Sequence, residues 1–367
     1  MQVKNNITGI LSKLIFVLNI ALLLLLTISA YSSHLSPVQF PILSNSGLAF
    51  PVLLIGALLF AIFWAITKVW KFHSIFWLFI LVVSPQLSLY LPINKHKEAP
   101  RESIKILSYN VMNFNNLKLN EQGDSEILNY ITEQDADIIC IQEYASSTNS
   151  KLLNTKLINK AFRKYKYKSV ISVGSKNSYN KIACLSKHPI LKSERINYTS
   201  QYNGSSAHLI KYRQDTIQIV NNHLESNKIT QKDRAVYEKL LKLEENQSII
   251  KDTKGLFRKI IDASIIREQQ ALIIADYLLK NPFKYTIVCG DFNDSPLSRT
   301  NKILSKNLKS AFKEAGSGLG ISYNRNMFYF RIDNILISNN IKAYNCIVDN
   351  SIKLSDHYPI ICSIAFE

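Results

Sequence analysis

Eight side chains in this sequence are of the types that phosphate-ester chemistry uses: Asn110, Glu143, His223, Asp291, Asn293, Asp333, Asp356 and His357. Acids and amides without thiolates form an oxygen-donor set, which suits Mg²⁺ or Mn²⁺ rather than zinc. A carboxylate such as Glu143 can hold a cation while the cation also grips a phosphate oxygen. Two histidines beside it can donate to a pentacovalent phosphate or move a proton near neutral pH. Together these are the requirements for hydrolysis of a phosphate ester.

The spacing in residues 287–294, Ile-Val-Cys-Gly-Asp-Phe-Asn-Asp, shows how such a set could be positioned. Ile287 to Gly290 read as a short buried strand that stops at polar residues with turn chemistry. Asp291 and Asn293 then sit at the strand exit. Two residues apart on extended chain, they would face the same way. Gly290 would let the backbone approach whatever they hold. Taken alone, the stretch also fits an ordinary strand-to-loop turn, where Asp and Asn are common. Recurrence elsewhere changes that balance.

Residues 104–111 alternate as a first strand with Asn110 near its end, and residues 137–143 form an apolar strand ending on Glu143. Strands are also expected at 167–173, 182–186, 207–212, 216–220, 331–338 and 358–364, with a weaker candidate at 343–348. The strand 216–220 runs into Asn221-Asn222-His223-Leu224-Glu225. A helix is expected over 124–131, capped by Asp124 or Ser125. Residues 230–279 have helical periodicity, with a break at Gly255. Many strands with interspersed helices, and polar residues at the strand tips, indicate an α/β layered domain whose site lies at one rim of its sheets.

The motifs, in order, are Leu107-Ser-Tyr-Asn-Val-Met, Ile141-Gln-Glu143, Leu185-Ser-Lys-His-Pro189, Asn222-His-Leu224, Gly290-Asp-Phe-Asn-Asp294, Arg331-Ile-Asp333 and Ser355-Asp-His-Tyr-Pro359. This series resembles the endonuclease/exonuclease/phosphatase superfamily from residue 104 to the C-terminus. Each motif is short, but seven in the right order are specific. The resemblance implies a four-layer α/β sandwich with two packed β-sheets (DNase I-like) and metal-dependent cleavage of phosphodiester or phosphomonoester bonds. It implies Glu143 as principal metal ligand with Asn110 beside it and Asp356 facing the metal. Asp291 would orient or deprotonate the attacking water, and Asn293 would contact the scissile phosphate. His357, held by Asp333, would act on the phosphate, with His223 as a second phosphate-facing histidine. Asn334 departs from the family pattern, in which an aromatic or His is common, and the sequence shows no acid to partner His223.

The first hundred residues have another character. Residues 14–31 and 47–67 are uncharged apolar runs, and 72–91 is uncharged with several polar residues. Each approaches the ~20 residues that a hydrocarbon core of ~30 Å requires. A cleaved signal peptide would account for the first run, but two more behind it favour a retained, membrane-embedded region over residues 1–93. Residues 94–103 read as a linker and 104–367 as the catalytic domain. Lys4 and Lys13 precede the first run, the next connection has no Lys or Arg, and Lys68 and Lys71 lie in the one after. By the positive-inside bias, three crossings place the catalytic domain on the outer side of the membrane. If the third run lies in the interface instead, the domain faces the cytoplasm.

The formal net charge is +17. Up to Ala99 six lysines stand against Glu98, leaving 38 basic and 26 acidic residues beyond it, a balance of +12. That balance fits a polyanionic substrate, for which nucleic acid is the simplest candidate. Tyr165-Lys-Tyr-Lys168 interleaves aromatic and basic residues along such a substrate, or else is an edge strand guarded by lysines. Membrane attachment favours a second class, phospholipid or inositol-phosphate headgroups, with the lysine-rich helical stretch 230–279 lying on the bilayer or covering a sheet. A membrane-tethered binding protein without catalysis is a third reading, which the retained Glu143, His223 and His357 oppose. The five cysteines, with no CxxC, indicate buried free thiols rather than a metal or disulfide framework.

Overall fold

A computed structural model of the chain describes residues 2–175, 180–242, 247–325 and 328–367. The chain divides into two compact units: Met1–Tyr90 with Leu297–Arg299, and Leu91–Pro296 with Thr300–Glu367.

The first unit contains the long helices Gln2–Ala30, Phe50–Ile66 and Trp70–Tyr90. Within them Ser12–Ala30, Ser46–Ile66 and Phe72–Tyr90, the middle one starting in the preceding turn, are long and apolar enough to cross a membrane, with mean hydropathies of 2.3, 2.5 and 1.6. The small residues Ala57 and Ala61 face inward with Leu23, Leu26, Phe76 and Val83, while Leu24, Val52, Leu59, Ile66 and Leu81 point outward. Helices that are apolar on every face belong in lipid or in a larger core.

The second unit is a sandwich of two six-stranded sheets. In chain order its strands are β1 (Ile104–Asn110), β2 (Ile138–Tyr144), β3 (Tyr167–Ser172), β4 (Lys181–Ser186), β5 (Ile190–Ile196), β6 (Gly204–Tyr212) and β7 (Asp215–His223). Then follow β8 (Tyr285–Asp291), β9 (Leu308–Ser310), β10 (Tyr323–Arg325), β11 (Phe328–Phe330), β12 (Asp333–Ser338), β13 (Ile341–Val348) and β14 (Ile360–Phe366). One sheet has the order β13-β14-β1-β2-β4-β3 and the other β5-β6-β7-β8-β12-β9, while β10 and β11 form a separate hairpin.

Alternation along the strands builds the layers. Ile138 and Cys140 of β2 join Ile287 and Cys289 of β8 between the sheets. Ile139 and Ile141 point outward onto the helices Glu126–Glu133 and Thr155–Ala161 through Ile127, Leu128, Ile131 and Ile158. Val288 packs outward against Ala271 and Ile274 of the helix Gln247–Lys280. Helix, sheet, sheet and helix give the four-layer α/β sandwich expected from the sequence.

Several local expectations need correction or gain detail. Gly255 does not break the helix, which runs unbroken from Gln247 to Lys280, because a single glycine costs only ~1 kcal/mol there. Residues 243–246, where the two helical segments adjoin, lie outside the described residues. The strand β5 and the three-residue strands β9, β10 and β11 were not foreseen. Ser125 caps its helix, accepting from the Leu128 N–H at 3.5 Å. Tyr165 is core, its hydroxyl donating to the Ala136 carbonyl at 3.0 Å, and β3 is an edge strand with exposed Lys168 on it and exposed Lys166 just before it, so that stripe reads as a guarded edge. All five cysteines are free and buried.

Candidate active site

Sheet register places the polar strand tips abreast. In one sheet His223 of β7 pairs with Asp291 of β8, and Asp333 of β12 pairs with Asp291 from the other side. In the other sheet β1 and β2 run parallel, so Asn110 and Glu143 leave the same end. The Asn110 amide bridges the sheets, donating to Glu143 Oε1 at 3.3 Å and to Asp291 Oδ2 at 3.1 Å.

Two tip residues are aimed by unusual backbone. The β2–β4 pairing slips between Ile141 and Tyr144, and Glu143 inside that irregularity has φ 54°. A bulge of this kind re-aims a side chain at a sheet rim, and positive φ at a non-glycine residue stores strain. Asn293 has φ 51°. Extended chain thus ends at Asp291, and Asn293 returns through a turn in which its N–H donates to Asp291 Oδ1 at 2.8 Å. Its side-chain amide donates to Asp291 Oδ2 at 3.1 Å and to the Leu224 carbonyl at 3.0 Å. Gly290 is required by contact and conformation alike: its φ is 122°, and a Cβ would stand 2.1 Å from the Asn222 carbonyl oxygen.

His357 enters from the segment before β14. Its Nδ1 is 2.8 Å from Asp333 Oδ2 and its Nε2 3.6 Å from Asp291 Oδ2. Ser355 holds this segment, accepting from the His357 N–H at 3.2 Å and donating to the Asn110 carbonyl at 2.7 Å. His223 Nε2 lies 3.7 Å from both Glu143 Oε1 and Asp291 Oδ2, so two acids flank the histidine that had no evident partner. Asp356 stands apart from these bonds, its Oδ2 paired with Arg325 Nη1 at 2.9 Å.

Burial and charge set the protonation states. Burial pushes Asp291 up to about 6, with Asp333 adding to the rise and both histidines opposing it. Burial also raises Glu143 and lowers His223. For His357 burial works toward the neutral form, but the carboxylates of Asp333 and Asp291 outweigh it and push the imidazole up to about 10. The site therefore pairs a carboxylate that accepts a proton near neutrality with an imidazolium that keeps its own.

Donor atoms of Asp291, Asp333 and His357 lie within 4.8 Å of one another, a grouping that could hold a metal ion. Asp333 Oδ1 is buried without a partner. The 2.8 Å bond to His357 already uses the other Asp333 oxygen, whereas Glu143 keeps 28% of its side chain exposed to the mouth. An all-oxygen set of Glu143, Asp356 and the Asn110 amide fits a hard divalent cation.

All eight residues singled out from the sequence lie at this rim. The sequence did not single out Tyr323, Arg325 or Ser322, and it placed Ser355 in a motif but with no role. The Tyr323 ring stands edge-on to His357 at 5.1 Å, and the Ser322 hydroxyl accepts from the N–H groups of Ile332 and Asp333 at 3.0 Å each. The run of three aromatic residues at 328–330 was the available signal for that hairpin.

A model of the endonuclease/exonuclease/phosphatase family matches residues 107–357. The chain belongs to that family. Its members are phosphoesterases that depend on a divalent metal, and this chain is a hydrolase of that class. A second model, for a domain of unknown function, matches residues 12–90. No curated protein matches the chain. Among solved structures, the human Nocturnin catalytic domain with bound sulfate superposes with TM-score 0.50 at 17% identity, over 74% of this chain and 97% of that one. A family protein from Bacteroides thetaiotaomicron gives 0.49 at 16% identity, over 73% and 100%. One from Bacteroides vulgatus gives 0.49 at 15% identity, with the same coverage.

Proposed function

We propose that this family member is a membrane-anchored phosphodiesterase dependent on Mg²⁺ or Mn²⁺, acting on nucleic acid from the outer face of the membrane. The observation that carries the reading is the placing of the Asp333-held His357, pushed up to about 10, with its Nε2 3.6 Å from Oδ2 of Asp291, which is pushed up to about 6. Glu143, Asp356 and Asn110 would hold the cation, which when bound supplies charge stabilisation to a phosphate oxygen. Asp291 takes the proton of the attacking water at Oδ2. His357 donates from Nε2 to a phosphate oxygen, and Asp333 fixes its tautomer through Nδ1. His223 lies between Glu143 and Asp291 and contacts the same phosphate. Asn293, whose amide is spent on Asp291 and Leu224, positions the base.

Nucleic acid is favoured by the +12 balance beyond Ala99. Membrane anchoring is supported by the three apolar helices, and the outer placement by the lysines before and between them. The test is hydrolysis by the full-length protein in detergent, with Mg²⁺ and with EDTA, of plasmid DNA, RNA and vesicles carrying choline or inositol headgroups. Metal-dependent cutting of nucleic acid supports the proposal. Activity confined to the vesicles moves the function to lipid headgroups and refutes it.

A further inference from the structure

Beside the catalytic rim are two arginines that the reading above does not use. β10 runs antiparallel to the 356–358 segment through the Tyr323–His357 bridge and the Asn324 N–H to Asp356 carbonyl bond at 3.0 Å. Along it Tyr323 lies on His357, Asn324 turns to the Tyr358 hydroxyl, and Arg325 reaches Asp356. Facing this hairpin is the helix Gln231–Leu241, whose Tyr237 ring lies 4.3 Å from Phe328 of β11. Arg234 is three residues before Tyr237, on the same helical face.

Arg234 is a half-buried guanidinium with little to hold. Among the described residues no carboxylate lies within 4.0 Å of it, its Nε is buried without a partner, and its one hydrogen bond runs from Nη2 to the Ile229 carbonyl at 3.3 Å. Phe328, on which Tyr237 packs, pairs in register with Arg325, so the Arg234 face of the helix is turned to the strand that carries Arg325, and both cations oppose the rise that burial imposes on the Tyr323 phenol. Arg325 is itself conditional. Its partner Asp356 belongs to the set that would hold the cation, and a divalent ion there would compete for the carboxylate and free the guanidinium. Burying a cation without a counter-charge is unfavourable, and guanidinium groups match phosphate oxygens in two-point contact.

We infer that Arg234 and Arg325 form an anion subsite beside the catalytic centre, which takes a second phosphate of the substrate next to the one being cleaved. The inference rests on the phosphodiesterase reading and narrows its substrate to chains with successive phosphates, rather than isolated esters.

The test has a binding arm and a kinetic arm. In the first, the full-length protein carrying Asp291→Asn to prevent turnover is titrated calorimetrically, with Mg²⁺, with thymidine 3′,5′-bisphosphate and with thymidine 5′-monophosphate. The bisphosphate is expected to bind about tenfold more tightly. Adding Arg234→Gln removes most of that preference, and Arg234→Lys restores part of it. In the second arm, Arg234→Gln in the otherwise native chain raises KM for the 5′-phosphorylated dinucleotide pTpT and leaves kcat and KM for TpT unchanged. A bisphosphate preference that is absent, or that survives both Arg234→Gln and Arg325→Gln, overturns the subsite. If neither dinucleotide is cleaved while the arginine-dependent preference persists, the phosphodiesterase reading falls and the subsite stands.

Discussion

Asp291→Asn is expected to slow turnover by orders of magnitude and to change the stability of the metal-free protein in opposite directions at low and high pH. The carboxyl is displaced by burial from 3.8 to about 6, which is worth ~3 kcal/mol against its ionised form in the folded state. Its contribution is whole below pH 3.8 and is lost as pH rises through about 6. Asparagine keeps the shape and carries no charge, so it escapes that loss. It also forfeits a hydrogen bond. With its oxygen at the Oδ2 position, asparagine still accepts from the side-chain amides of Asn110 and Asn293, and its NH₂ then meets the Asn293 N–H that Oδ1 accepts from, costing ~1 kcal/mol. The variant should therefore be ~1 kcal/mol less stable near pH 4 and ~2 kcal/mol more stable near pH 8, with a Tm difference of about 2–4 °C per kcal/mol. Thermal unfolding of the full-length protein in detergent with EDTA, at both pH values, measures this directly. The turnover assay should show a fall of about 10²–10⁴. An equal stability difference at the two pH values would refute the claim that burial opposes ionisation of Asp291. Unchanged turnover would remove it from the role of base.

The same physics yields other outcomes. Asp333→Asn removes the hydrogen-bonded one of the three carboxylates that hold His357 up to about 10, so the alkaline fall in rate should move to lower pH, as a pH–rate profile would show. The stability that protonated His357 contributes, whole below its unfolded value near 6.5 and lost through about 10, should then be lost at lower pH as well. Gly290→Ala should destabilise the fold by ~3 kcal/mol or more, read from chemical denaturation, because its Cβ would meet the Asn222 carbonyl at 2.1 Å where φ is 122°. None of the five buried thiols should react with a disulfide reagent until the protein is unfolded, so rapid labelling under native conditions would contradict the core assignment.

Much of the fold was readable because burial is periodic. β2, β4 and β8 are nearly continuous apolar runs, and the helix Glu126–Glu133 carries both its cap and its stripe in sequence. β10 and β11 were not readable, since each is three residues long and holds its place through contacts with Tyr237 and His357 that are distant in sequence. The unbroken helix through Gly255 shows tertiary context overriding a weak local preference. At the site, residue types and motif order located all eight side chains, but their pairings depend on strand register. That Asp291 lies between His223 and Asp333 follows from which strands neighbour β8, and that Glu143 reaches His223 follows from the packing of one sheet on the other. Asn293 does not continue the strand beside Asp291 for a local reason: extended chain ends at Asp291, and the turn that follows aims the Asn293 amide back at that carboxylate.

The measurement that tests the central claim most directly compares the full-length protein in detergent with its Glu143→Ala and His357→Ala variants, on plasmid DNA and RNA, with Mg²⁺ and with EDTA. The account predicts cutting by the native chain that EDTA abolishes and that falls by roughly 10² or more in each variant, the effect of losing contacts worth ~3 kcal/mol or more in the transition state. Near-normal cutting by both folded variants would contradict it.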